Sequence, residues 1–130
     1  MVDLEKRDPG SDPSPSIRRQ IAQLARQKRC RISTWTPEIP TEWRPQTVRD
    51  ANDDFFTDAG AWHLVADLVE ADQPMRMVPL RNPPGKSAFE MTVRLAPNRP
   101  EIYIKVRLGS PPGSGKAMIF GYSFHYSIYS

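Results

Sequence analysis

The sequence is poor in the residues that bind metals and form disulfides. Its 130 residues include one cysteine, Cys30, and two histidines, His63 and His125. A disulfide framework needs pairs of cysteines, and the common closed zinc sites need four Cys or His ligands. We therefore expect neither a disulfide nor a structural metal.

Long apolar runs are also missing. No stretch approaches the ~20 apolar residues that a membrane-spanning helix needs, and residues 1–9 contain no apolar segment of the kind found in secretion signals. We therefore expect a cytoplasmic protein with no membrane partner.

One glycine-rich segment is similar to a nucleotide-binding loop but lacks its essential residues. Residues 110–117 read SPPGSGKA, with Ser110 in place of the first required glycine and Ala117 in place of the Ser or Thr that holds magnesium. A predicted strand follows this segment, whereas a phosphate-binding loop leads into a helix. The segment is therefore expected to be a hairpin loop, and no cofactor is predicted.

The composition is that of a single folded domain with many irregular connections. Hydrophobic residues make up 38% of the chain and charged residues 25%, and there are 14 prolines. Residues 1–15 have almost no apolar side chains, which predicts a disordered tail. The remaining residues, 16–130, have the length of one domain.

Charge is unevenly distributed along the chain. Residues 16–37 contain six basic residues and no acidic ones, residues 38–72 contain nine acidic residues against two basic ones, and residues 73–130 contain eight basic residues against two acidic ones. Such blocks either form a basic surface that meets a polyanion or face each other within the fold. The sequence leaves both interpretations open.

Two segments repeat apolar residues at the spacing of an α-helix. The first covers residues 17–29, with Ser16 as its N-cap, and it carries arginines on its other faces. The second lies within residues 52–71, with Asp58 as its N-cap, and ends before Pro74. The positions expected to face the core are Ile17, Ile21 and Leu24 in the first helix and Trp62, Val65, Leu68 and Val69 in the second.

Apolar and polar residues alternate in three later segments, residues 89–95, 102–108 and 118–125. Such alternation is typical of strands with one buried face. Turn-forming residues at 97–100 and 109–116 separate the segments, which predicts an antiparallel meander of three or four strands. Two N-terminal helices packed on one such sheet make an α+β fold.

Matching buried positions predicts the register of the last two strands. On the final strand, Phe120, Tyr122 and Phe124 are expected to face the helices. A glycine opposite Lys105 would leave a hollow beside its ammonium group. The expected pairs are Val106 with Phe120, Lys105 with Gly121 and Tyr103 with Ser123.

The opposite face of the same two strands is predicted to be polar. Tyr103, Lys105 and Arg107 share it with Ser123 and His125. Metal-free RNA cleavage needs a group that exchanges protons near neutral pH and cations that stabilise the pentacoordinate phosphate. His125 is the candidate acid or base, with Lys105 and Arg107 as candidate phosphate ligands.

The residues EIYIKVRL (101–108) and IFGYSFHYS (119–127) resemble the end of small bacterial toxins related to the motility quorum-sensing regulator family. The resemblance is confined to the C-terminal half, about residues 60–130. It implies a RelE-like fold, metal-independent mRNA cleavage, RNA as substrate and a cognate antitoxin protein. By this resemblance Lys105, Ser123 and His125 are the candidate catalytic residues. The candidate substrate contacts are Tyr103, Arg107, Lys86 and Arg94.

A second function fits the same pattern. Solvent-facing strands commonly display lysine, arginine and a lone histidine without catalysing anything. The alternative is therefore a non-enzymatic module that binds protein or nucleic acid through its sheet or its basic helix, with His125 as a bystander.

Overall fold

The structure, a computed structural model, describes residues 12–33, 41–80, 84–110, 113 and 115–127. Within these residues the protein has an α+β fold with two α-helices and a mixed sheet of six strands. None of the helices among the described residues is long and apolar enough to cross a membrane. The helices are α1 (Pro15–Ala25) and α2 (Asp58–Glu70), and the strands are β1 (Arg31–Ile32), β2 (Glu42–Trp43), β3 (Arg76–Pro79), β4 (Ser87–Val93), β5 (Ile102–Gly109) and β6 (Met118–Tyr126).

Helix α1 begins two residues earlier than the sequence predicts. The Ser14 hydroxyl, rather than Ser16, caps the helix by accepting a hydrogen bond from the Ile17 amide, and Pro15 occupies the first turn. The helix ends at Ala25, before the predicted end at residue 29. Ser14 and Pro15, predicted to be part of the tail, thus belong to the helix, while residues 1–11 of that tail lie outside the described residues.

Helix α2 is capped by Thr57, whose hydroxyl accepts a hydrogen bond from the Gly60 amide. Asp58, the predicted cap, is instead the first helical residue, and its carboxylate accepts a hydrogen bond of 2.8 Å from the Trp43 indole. Trp62 and Val65 are buried, as their helical spacing predicts. The interaction between Asp58 and Trp43 connects the start of α2 to strand β2.

The two helices pack against each other where the basic block meets the acidic one. The guanidinium of Arg18 donates hydrogen bonds to the carbonyl oxygens of Val69 (3.1 Å) and Gln73 (2.8 Å), at the C-terminal end of α2. Arg26 forms ion pairs with Asp67 and Glu70. Part of the basic charge of residues 16–37 is therefore neutralised within the fold, by the ion pairs of Arg26 just after α1.

The predicted meander is present as strands β3 to β6, each antiparallel to the next. The full sheet is larger than predicted and is mixed. Its order is β1-β6-β5-β4-β3, and β2 also pairs with β6. Both β1 and β2 run parallel to β6 along its outer edge. Strand β6 is therefore an internal strand, and its C-terminal part has β2 on one side and β5 on the other.

The predicted register of β5 and β6 is wrong by one residue at Val106 and, across a bulge, by two residues at Lys105. The register shifts between Lys105 and Val106, and one extra residue of β6, Tyr122, is accommodated there. Phe120 therefore pairs with Arg107, whose guanidinium carbon lies 4.3 Å from the centroid of its ring, and does not join the core beneath the helices. The observed pairs are Tyr103 with His125, Lys105 with Ser123, and Val106 with Gly121.

The core lies between the helices and one face of the sheet, and its aromatic centre holds β2 in place. The rings of Trp43 and Trp62 stack with centroids 4.4 Å apart, and Phe124 lies beside Trp43 at 5.4 Å. A Cβ atom on Gly121 would lie 2.6 Å from the Trp43 ring. The Trp43 indole therefore approaches the backbone of β6 at Gly121. Because Gly121 pairs with Val106 and the indole fills the space beside it, the hollow predicted beside Lys105 does not exist.

Candidate active site

A cavity of about 860 Å³ opens on the face of the sheet that points away from the helices. Because side chains alternate along a strand, neighbouring strands contribute residues to it in rows that cross the sheet. One row combines Thr92, Tyr103 and His125. The next row, from β3 to β2, consists of Arg76, Glu90, Lys105, Ser123 and Glu42.

His125 is held through both of its ring nitrogens. Nδ1 lies 2.9 Å from the carbonyl oxygen of Tyr126, and Nε2 lies 3.2 Å from Oε2 of Glu42 on the neighbouring strand β2. The ring of Tyr103 packs beside the imidazole, with centroids 5.6 Å apart. The histidine side chain is 24% exposed, so the ring is both oriented and accessible from the cavity.

Glu90 is fixed between two donors. The Tyr103 hydroxyl donates a hydrogen bond of 2.6 Å to Oε2, and Arg76 Nε donates to Oε1. Burial of the phenol, together with this hydrogen bond to Glu90, raises the pKa of Tyr103. Tyr103 therefore keeps its proton at physiological pH and serves as a hydrogen-bond donor, not as a base.

The raised pKa of Tyr103 predicts a difference in alkaline stability between the wild type and Tyr103→Phe. The folded protein holds this proton more tightly than the unfolded chain, so the contribution to stability is complete below the ordinary tyrosine pKa of about 10 and is lost as pH rises through the raised value. We expect the free energy of unfolding to fall more steeply from about pH 9 to about pH 11 in the wild type than in Tyr103→Phe, measured by urea denaturation. Equal slopes would contradict the assignment.

Lys105 lies at the centre of the cavity floor. It stands between Glu90 and Ser123 in its row and is partly buried. It forms no hydrogen bond or ion pair with another described residue, and the carboxylate of Glu90 beside it accepts hydrogen bonds from Arg76 and Tyr103. Beside it, Ser123 is 6% exposed. The ammonium group is therefore available to an anion entering the cavity.

The structure brings four of the seven predicted site residues to the cavity: Tyr103, Lys105, Ser123 and His125. The other three lie outside it. Arg107 stacks on Phe120 beyond the bulge, and Arg94 forms an ion pair with Glu101 at 3.6 Å and donates to the carbonyl oxygen of Arg99. Lys86 is exposed just before β4.

Four charged residues of the cavity were missed by the sequence reading. Glu90 is the one that the sequence could have given, since it alternates with Phe89 and Met91 on a predicted strand. Glu42 and Arg44 have no such signal, because β2 is only two residues long. Arg76 precedes the first predicted strand segment. The missed cavity residues are Glu42, Arg44, Arg76 and Glu90.

Comparison of the chain with models of protein families, with curated proteins and with solved structures found no match. Function is therefore inferred from the residues of the cavity and their chemistry.

Proposed function

We propose that the protein is an endoribonuclease that cleaves RNA without a metal ion. The observation that carries the proposal is the convergence of an imidazole, an ammonium, a hydroxyl and a phenol from two adjacent strands in one open cavity. These groups are His125, Lys105, Ser123 and Tyr103.

The chemistry of RNA cleavage matches these groups. Attack of a 2′-hydroxyl on the adjacent phosphorus requires proton transfer and places extra negative charge on the phosphate oxygens. His125 exchanges the proton, and the ammonium of Lys105 stabilises the charge because it lines the cavity and is not committed to another described residue. The Tyr103 hydroxyl donates its hydrogen bond to Glu90, and the phenol ring packs against the imidazole, which keeps the imidazole in place.

The size and charge of the cavity favour a nucleotide. Its volume of about 860 Å³ falls within the ~300–1,000 Å³ of typical ligand sites. Three permanent cations line it, Arg44, Arg76 and Lys105, against the two carboxylates Glu42 and Glu90. Since Arg76 and Tyr103 already hold Glu90, an incoming phosphate meets a net positive site.

The same proposal includes a role as the toxin of a toxin-antitoxin pair with a RelE-like fold. The resemblance implies a helix at residues 61–72 and a first strand at residues 86–91, and helix α2 followed by strands β4 to β6 is compatible with that order. A cognate antitoxin would then bind over or beside the cavity. Expression of the wild type in a bacterial host should arrest growth, and His125→Ala should relieve the arrest.

Incubation of purified protein with labelled RNA in EDTA tests the activity directly. We expect fragments that end in 2′,3′-cyclic phosphate, formed by the wild type and by His63→Ala but not by His125→Ala. His63 is a matched control because it is an exposed histidine on α2, outside the cavity. Intact RNA after incubation with folded wild type, or equal cleavage by His125→Ala, would count against the nuclease and favour a binding module.

A further inference from the structure

Arg44 is a cation of the cavity that the proposed cleavage chemistry does not use. It directly follows strand β2 and lines the cavity, and its side chain forms no hydrogen bond or ion pair with another described residue. Arg76, by contrast, forms an ion pair with Glu90. Among the described residues of the cavity, Arg44 and Lys105 are therefore the two cations that no carboxylate holds.

The backbone of Arg44 is held on both sides. Its amide donates a hydrogen bond of 3.0 Å to the carbonyl oxygen of Phe124 on β6. Its carbonyl oxygen accepts hydrogen bonds from the amide (3.1 Å) and the hydroxyl (2.8 Å) of Thr47, at the end of the short 3₁₀-helix Pro45–Thr47. The base of the side chain is therefore fixed, while the guanidinium at its end can meet a ligand.

The register of the sheet gives the position of Arg44 relative to the other cavity groups. Trp43 pairs with Phe124, so continuing the parallel register by one residue puts Arg44 beside His125. Lys105 lies on β5, on the other side of β6. From the spacing of strands and of residues along them, the Cα atoms of Arg44 and Lys105 are about 12 Å apart. The two cations thus lie on either side of the strand that carries the imidazole.

Two such cations suit two successive phosphates of one polynucleotide. RNA carries one phosphate per nucleotide, and a guanidinium binds a phosphate through paired N–H groups. Resting on the proposed function, we propose that Arg44 binds the phosphate next to the scissile one, which itself lies at Lys105. The substrate class that follows is an RNA with a charged phosphate beside the cleaved bond, which a dinucleoside monophosphate lacks.

The carboxylates of the cavity leave Arg44 available for this contact. Glu42, two residues earlier on the chain, has its Oε2 3.2 Å from Nε2 of His125. Glu90 lies on β4, three strands away from β2. A phosphate that enters beside Arg44 therefore does not have to break an ion pair with a described residue, so the new contact adds to binding.

A substrate with one cleavable bond tests the second phosphate contact. In this oligonucleotide every ribose carries a 2′-O-methyl group except the one at the main cleavage site of the wild type, so only the phosphate after that 2′-hydroxyl can be cleaved. Two further versions carry an uncharged methylphosphonate at the phosphate immediately 5′ or immediately 3′ of the scissile one. We would measure kcat/KM in EDTA for the wild type and Arg44→Ala, with Arg44→Gln as a second variant in case the first does not fold.

We expect the methylphosphonate on one side to lower kcat/KM of the wild type by about 10–100-fold. Arg44→Ala should lower kcat/KM on the fully charged substrate by a similar factor, and the same methylphosphonate should then cause no further loss. Arg19→Ala is the matched control and should behave like the wild type, because Arg19 is an exposed arginine of α1 and does not line the cavity.

Binding of an uncleavable ligand separates this proposal from the nuclease. The probes are a dinucleoside monophosphate with 2′-O-methyl groups on both riboses and the same molecule with an added 5′- or 3′-terminal phosphate. Isothermal titration calorimetry measures the Kd of each. One of the added phosphates should lower the Kd of the wild type by about 10-fold or more, and neither should do so for Arg44→Ala.

The outcomes distinguish the two proposals. If the wild type cleaves RNA but neither the methylphosphonates nor the added phosphates affect it more than they affect Arg44→Ala, the second phosphate contact is wrong and the nuclease stands. An equal loss by Arg44→Ala on every probe would likewise overturn the contact. If an added phosphate tightens binding through Arg44 but the wild type cleaves no RNA, the nuclease is wrong and the two phosphates are bound by a module without activity. Neither cleavage nor tighter binding would exclude both.

Discussion

Replacing Lys105 with alanine is expected to slow RNA cleavage by about 10²–10³-fold while the protein remains folded. The ammonium lies in the centre of the cavity floor and forms no ion pair with a described residue. The substitution therefore removes charge from the transition state without leaving an unpaired carboxylate in the folded protein. Single-turnover cleavage of labelled RNA, together with thermal unfolding, measures both effects.

Two further variants make this result specific. Lys86→Ala removes an exposed lysine outside the cavity and should cleave RNA at the wild-type rate. Lys105→Arg keeps the charge but replaces a compact ammonium with a planar guanidinium, so part of the activity should return. Cleavage by Lys105→Ala at the wild-type rate would show that the phosphate lies elsewhere.

The elements that the sequence predicts well are those with a long repeated pattern. Strand β5 alternates through its whole length, and its polar side chains reach the cavity as predicted for Tyr103 and Lys105. The helical spacing of Trp62 and Val65 likewise predicts their burial. In each case several residues indicate the same buried face, so one wrongly assigned position does not change the prediction.

The elements that the sequence does not predict are too short to show a repeated pattern. Strands β1 and β2 are two residues long each, and their parallel pairing with β6 depends on contacts between distant parts of the chain. Glu42 enters the site through one of these strands. Glu42 and His125 therefore come together only in the folded chain.

The bulge in β6 has a similar explanation. Residues 118–125 can be aligned with two alternations, and the sequence favours the one that places Phe120 and Tyr122 in the core. The fold places Gly121 there instead, because the Trp43 indole needs the space that a side chain would fill. The extra residue at Tyr122 then restores Phe124 to the core and His125 to the cavity.

This packing predicts a large effect of Trp43→Ala on stability. The indole is buried, stacks on Trp62 and contacts Phe124. Its removal should lower the free energy of unfolding by about 3–5 kcal/mol, measured by urea denaturation. Because Trp43 holds the two-residue strand whose Glu42 contacts the His125 imidazole, the folded fraction of this variant should also cleave RNA more slowly than the wild type.

Gly121→Ala tests the same contact from the opposite side. In the wild type the new Cβ would lie 2.6 Å from the Trp43 ring, which is fixed by its neighbours, so we expect a loss of about 1–3 kcal/mol. In the Trp43→Ala background the ring is absent, and the added methyl should cost much less. The double-mutant cycle should therefore give a coupling energy close to the cost of Gly121→Ala alone. Additive losses would show that Gly121 is needed for backbone conformation and that the indole does not lie against it.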